Sequence, residues 1–463
     1  VAVLETADLA KLSTEALVAL STAQLRALST DQISGMTTAQ TAALTSDQVG
    51  SLTTPQLAAL LVGTPMNTMT TAQVAGLTTA QVVALTTKQA SELSSTQLAA
   101  MTTAQVKALE VEDLAKISTA AISALTSAQA ANLTTDQMVA LTTAQAAQLG
   151  TAALAGLSSA QVAALETADL AKLSTDAIQS ITTAALAGLS AATQVSKLTT
   201  DQVVALTTAQ VNALSTAQVA ALTTAQVSKL SSDQLAVMTT AQIAAIEVAD
   251  LAVLTTSALS AITTTQAAKL TTDQIVALTT AQAASLSTDA LSALNSAQVA
   301  AFQTADLAQV STAALASLST GALAGLNTAQ VAGLSTAQVA NLTTDQVAAL
   351  STTNVSALTT AQVSNLTSDQ LAVLTTGQVK AMTSAQVVAL GTAQINKLSS
   401  DQMAVLTSSQ VKAMETADLV SLTSDQLASI STAGVAALTT DQVVALTTAQ
   451  VDKLTTGQVA ALT

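Results

Sequence analysis

An all-α solenoid of very short helices, one per eight-residue repeat, is the fold class this sequence predicts, and three observations predict it. The octad L-[TS]-x-x-Q-[VIL]-x-x recurs through nearly all 463 residues, most plainly from Leu198 to Met238 as LTTDQVVA, LTTAQVNA, LSTAQVAA, LTTAQVSK and LSSDQLAV. Each octad carries a helix start signal. Its apolar spacing then prevents that helix from running on into the next octad.

The start signal is a capping box. In the octad that opens at Leu206, the Thr207 hydroxyl can accept from a free N–H of the first turn, and Gln210, three residues on, can reach back to the cap's own N–H. Ala209, Gln210 and Ala213 favour helix by propensity. Asp at position 4, as in Asp201 and Asp233, meets the positive end of the helix dipole. Pro55 occupies position 4 as well, where a missing N–H is tolerated. Position 2 and position 3 both remain candidates for the cap, with Pro55 fitting position 3 slightly better.

Apolar spacing supplies the break. Val211 and Leu214, three residues apart, share a helical face, whereas Leu214 to Val219 is five residues and falls out of register. Eight residues at 100° each leave about 80° of rotation per octad, so no apolar stripe survives along one long helix. The expected unit is a helix of about six residues, about 9 Å long, followed by a sharp turn. Helices that short are unstable alone, so each must be completed by its neighbours, as in a solenoid. If two octads formed one coil, about 29 coils at helix-packing distances would extend roughly 250 Å. A β-solenoid is the alternative, since Thr and Val favour strands. Against it, Leu at position 1 and Val at position 6 would face opposite sides, and Gly and Asn turn residues are few. Disorder is disfavoured by the 50% hydrophobic content and the sustained leucine register.

The register begins at Leu4 and steps by eight to Leu60. A nine-residue step, LLVGTPMNT, leads to Met69; with Gly63, Pro65 and no Thr-x-x-Gln box, it is expected to be a kink or irregular loop. A second nine-residue step, from Leu189 through SAATQVSK, reaches Leu198, after which the register holds to Leu462. The uniform repeat argues for one octad-repeat array over residues 1–463, with slips near 60–69 and 189–198, and no terminal capping repeat is apparent. A variant octad with Glu or Gln at position 2 and Asp at position 5 begins its acidic stretch at Glu5, Glu110, Glu166, Glu247, Gln303 and Glu415. The steps from 110 to 166, 247 to 303 and 303 to 415 are 56 residues or twice that, while 166 to 247, at 81, breaks the rule; they define a seven-octad higher unit, which reads as segment duplication or as a superhelical or lateral-contact repeat.

Composition narrows function. Phe302 is the one aromatic residue, and Cys, His, Trp and Tyr are absent, so the core must be thin and aliphatic and no disulfide can form. A net charge of −15 with a single arginine, Arg26, argues against nucleic acid. The longest apolar run, near Leu57–Gly63, is far short of the roughly 20 residues a membrane helix needs. The chain opens on Val1 without a signal peptide and reads as a processed product or a piece of something longer. Lys197/Asp201, Lys229/Asp233, Lys269/Asp273 and Lys397/Asp401 straddle turns and are expected to link successive helices, each contributing on the order of 0–1 kcal/mol.

Catalytic triads and zinc sites lack their residue types. Glu110, Glu112 and Asp113 can be imagined around a weak Ca²⁺ site, but no Gly-rich oxygen-ligand loop accompanies them, and first-turn acids are the better reading. No catalytic, cofactor-binding or metal-ligating residue is therefore assigned, no cofactor is expected, and an enzyme is the least expected class.

The octads LTTAQVAA and LSSDQLAV resemble the tandem octapeptide arrays of giant bacterial surface and adhesion-type proteins, over essentially the whole chain. Those arrays often read L-T-P-E-Q-I-A-A; here Thr or Ser mostly replaces Pro, and Ala or Asp mostly replaces Glu. The resemblance implies an extracellular or cell-surface fibrous role and transfers no haem site, since no axial-ligand cluster is present. The expected function is a structural filament, stalk or matrix fibre that associates with itself, with glycans on Thr or Ser as a further partner. An ice- or surface-binding repeat module and a passive spacer of a larger adhesin are the alternatives.

Overall fold

Every octad folds as one helical segment. The computed structural model describes residues 3–462, in which 55 α-helices of four to ten residues and two 3-10 segments follow one another from Thr6 to Ala461, with no strand among the described residues. The chain divides into two compact units, Val1–Lys229 and Leu230–Thr463, built alike.

Position 2 is the cap. Thr207 donates its N–H to Gln210 Oε1 at 2.9 Å and its Oγ1 accepts from Gln210 N at 3.2 Å, starting the helix Thr208–Ala213. Thr53 caps the helix that contains Pro55, placing the proline at the second helical position. Ends are equally uniform. Leu214 is extended (φ −62°, ψ 142°), and so is the next cap, Ser215 (φ −72°, ψ 158°). Two extended residues thus turn each corner, and none of the described residues takes a positive φ. Helix stubs joined in this way bury Leu at position 1 and the apolar residue at position 6: Leu206 is 4% exposed and Val211 2%. Phe302 simply takes the place of a position-1 leucine.

Three octads, not two, make a coil. Each helix packs on the third one along: Thr336–Ala340 stacks on Thr312–Ala316, and Thr360–Ser364 on Thr336–Ala340. A coil is therefore a triangle of 24 residues, with three faces of stacked helices and three edges of stacked corners. Stacked helices pass closely where position 8 of one lies over position 3 of the helix beneath. A Cβ on Gly76 would stand 2.6 Å from Ser46 O. Gly156, Gly188 and Gly325 meet Ser127, Ser159 and Ser296 in the same way.

Both register slips sharpen the rule. Leu61 and Val62 stand where the hydroxyl pair should, and there the helix does not stop: Thr54–Gly63 runs ten residues, straight through Leu60. The chain resets at Pro65, with a 3-10 turn over Met66–Thr68. The segment is thus an overlong helix followed by a 3-10 turn, rather than the expected loop. In the second slip the extra residue lies inside the first turn. Ser190 N bonds Gln194 Oε1 four residues on instead of three, and a 3-10 segment, Val195–Lys197, replaces the α-helix.

Candidate functional site

The most organised chemistry lies along the corners. Gln at position 5 has an acceptor and a donor on one side chain, and both are used. Its Oε1 takes the cap N–H, and its Nε2 donates to carbonyls at the corner of the coil beneath. Gln338 Nε2 reaches Leu307 O at 3.0 Å and Val310 O at 2.7 Å, while its Oε1 accepts from Ser335 N at 2.8 Å. Leu307 and Val310 are 31 and 28 residues back, at the end of the helix Thr304–Leu307. One amide therefore satisfies an orphan N–H at a helix start and orphan C=O groups at another helix's end. Gln338 is 2% exposed. Sequence reasoning explained this glutamine by the capping box alone and missed the donor half. The signal for it was that Gln recurs where Glu would cap equally well but could not donate.

Several octads lack the amide. Ala121, Ala185 and Ala314 occupy position 5 in otherwise regular helices. In the acidic octads the position holds Asp. Asp113, Asp169, Asp306 and Asp418 are 1–3% exposed, and Glu110, Glu166, Gln303 and Glu415, at the cap position, make no side-chain cap bond. Asp306 Oδ1 accepts from Thr280 Oγ1 at 2.6 Å and Asp418 Oδ1 from Thr392 Oγ1 at 2.7 Å, each from the coil below. Asp306 Oδ2 and Asp113 Oδ2 have no partner. Burial, then the nearby charges of Glu110 and Glu112, push Asp113 up to about 6. Burial raises Asp169 as well; the Thr143 hydroxyl opposes this from outside hydrogen-bond geometry, and Glu166 reinforces it.

The acids expected to sit in the first turn are there, but they do not cap. Among the described residues, no group of three or more His, Cys, Asp or Glu is placed to hold a metal ion. Seven octads are not a whole number of three-octad coils, so each 56-residue step moves an acidic octad to another face, and only three such steps, as from Glu247 to Glu415, bring it back to the same one. Lys197/Asp201, Lys269/Asp273 and Lys397/Asp401 form no ion pair; among the described residues, the pair within 4.0 Å is Lys11–Asp8, at 3.4 Å.

Positions 3, 4, 7 and 8 face outward. Thr208, at position 3, is exposed and free of capping duty. Ser95, Ser232 and Ser408 at that position donate across the stack to Ala120 O, Ser257 O and Ala433 O. The overlong helix leaves an open depression of about 380 Å³ lined by Leu61, Val62, Gly63, Pro65, Lys88 and Glu92, among others. Glu92 is engaged there in accepting from Met66 N. No helix among the described residues is long and apolar enough to cross a membrane.

The ALTTAQ repeat family matches this chain at residues 1–38, 106–143, 162–200, 216–280 and 299–448, in overlapping copies over the last two stretches. A search of curated proteins gives no match. Among solved structures, a leucine-rich repeat-containing protein, LegL7 from Legionella pneumophila, aligns at 14% identity over 57% of this chain and 79% of its own, with a TM-score of 0.14.

Proposed function

Since the chain belongs to the ALTTAQ repeat family, we propose that it is a structural repeat protein, a bacterial extracellular fibre or stalk assembled from copies of itself. The observation that carries this reading is the corner ladder. The recurrent buried polar side chain, Gln at position 5, is committed at both ends to backbone groups of the scaffold, as at Gln338. What remains outward is a periodic surface of Thr, Ser and Ala, suited to lateral contact between copies. No catalytic role is assigned to any residue. Electron microscopy of the purified full chain tests the reading: fibres or laterally bundled rods are expected, and dispersed monomers at every concentration would overturn it.

One observation favours a second reading. Half of the hydroxyl doublet, position 3, is spared from capping and repeats once per coil on each face, as a binder of ice or another periodic solid would require. Thermal hysteresis in the full chain would mark that activity, and its absence removes the ice-binding case.

A further inference from the structure

In the unit Leu230–Thr463 the three faces differ in charge. One face is a continuous ladder of ten helices, each packed on the next, running from Thr240–Ala245 through Thr264–Ala267, Thr288–Ser292, Thr312–Ala316, Thr336–Ala340 and Thr360–Ser364 to Thr456–Ala461. Its octads contain three charged residues, Lys269, Asp289 and Lys412, all exposed. The unit's thirteen other acids all belong to octads of the other two faces. A second copy of so acidic a chain is repelled by those two faces and not by this one.

The positions of the charges on this face are also self-complementary. Asp289 and Lys412 belong to the third and eighth of the ten helices, so they are equidistant from the midpoint between Thr336–Ala340 and Thr360–Ser364. A two-fold axis through that midpoint sets Asp289 of each copy against Lys412 of the other, as an isologous contact requires. The two residues differ by three positions within the octad, about 4.5 Å along a helix, which a lysine side chain spans. The same axis pairs all ten helices and sets Lys269 opposite the uncharged helix Thr432–Val435. Ten rungs at 8–10 Å, each up to about 9 Å wide, bury roughly 800 Å² per copy, the area of an ordinary stable interface. We propose that two copies of this chain meet face to face on this ladder, related by that two-fold axis; the proposal rests on the self-association inferred above and names one surface that takes part in it, the contact that pairs two copies.

Sedimentation of the full chain at several concentrations tests it. Lys412→Asp alone sets acid against Asp289 twice per pair, and Asp289→Lys alone sets lysine against Lys412 twice. Each is expected to weaken association about tenfold or more. The double exchange restores both contacts and is expected to return association to within about threefold of wild type. Asp369→Lys, on another face, should not weaken association, and far-UV circular dichroism checks that each variant folds. Association indifferent to both single exchanges, or not recovered in the double exchange, overturns the assignment of this face and leaves self-association standing. A wild-type chain that stays monomeric throughout overturns both.

Discussion

Replacing Asp113 with Gln should stabilise the coil around it, by an amount that depends on pH. Asp113 is 2% exposed and its Oδ2 has no partner, while Glu110 and Glu112 add like charge. A carboxyl held at about 6 rather than 3.8 is about two pH units out of place, or about 3 kcal/mol at neutral pH. Solvent around the two glutamates reduces that to about 2–3 kcal/mol. The sign follows from linkage. Between pH 3.8 and about 6 the folded form holds a proton that the unfolded form has lost, so stability falls as pH rises through this window and stays low above it. Wild type therefore gains stability in mild acid at this site. Asp113→Asn removes the charge and can donate to Leu85 O, as Asn354 Nδ2 donates to Leu326 O at 2.9 Å, 28 residues back. Asp113→Gln adds the cap bond from Glu110 N, worth about 1 kcal/mol more. The order Gln > Asn > Asp is thus expected at pH 7.5, with the Gln variant ahead of wild type by about 3–4 kcal/mol. That lead should shrink to about 1 kcal/mol at pH 4. Repeat arrays open locally, so the measurement is hydrogen exchange at Leu114 and Ala115, whose N–H groups bond Glu110 O and Val111 O. A Gln variant that exchanges faster than wild type at pH 7.5, or a lead that does not change with pH, refutes the reasoning.

Three further outcomes follow from the same geometry. Gln338→Ala should destabilise by about 2–3 kcal/mol in denaturant titration, because Ser335 N–H and the Val310 carbonyl lose their partner; Gln338→Glu should be worse at neutral pH, since it turns an acceptor toward those carbonyls. Gly156→Ala should cost about 1–3 kcal/mol, because its Cβ would overlap the Ser127 backbone, whereas Gly321→Ala meets nothing nearer than 4.0 Å and should stabilise by about 0.5–1 kcal/mol. Deleting Ala192 restores an eight-residue step with Ser190 and Gln194 three apart; thermal melts should show a gain of about 1 kcal/mol from a regular capping box.

Helix, corner and core positions were legible in the sequence because they are local: Thr207, Gln210, Val211 and Leu214 lie within one octad, and each speaks for itself through capping or spacing. The number of octads per coil is not local, and a perfect repeat hides it, since every octad looks the same at a distance of two, three or four. Only departures from the repeat reveal it. The position-8 glycines Gly156, Gly188 and Gly325 each have a serine 29 residues earlier, three octads back by register, because the backbones touch there. The slips give the same answer through the staples. Gln73 and Gln81 reach back 29 residues, to Leu44 and Leu52, across the extra residue, and by Gln97 the distance to Met69 is 28 again. After the second slip, Gln202, Gln210 and Gln218 reach back 29 residues and Gln226 reaches 28. An inserted residue lengthens the reach only while it lies between a corner and the corner beneath it, so the span over which the longer reach persists measures the coil. By the same reasoning the buried aspartates could not be read from the sequence as more than first-turn acids. Thr280 and Thr392, which donate to Asp306 and Asp418, lie one coil below, at a separation that means nothing until the coil is known.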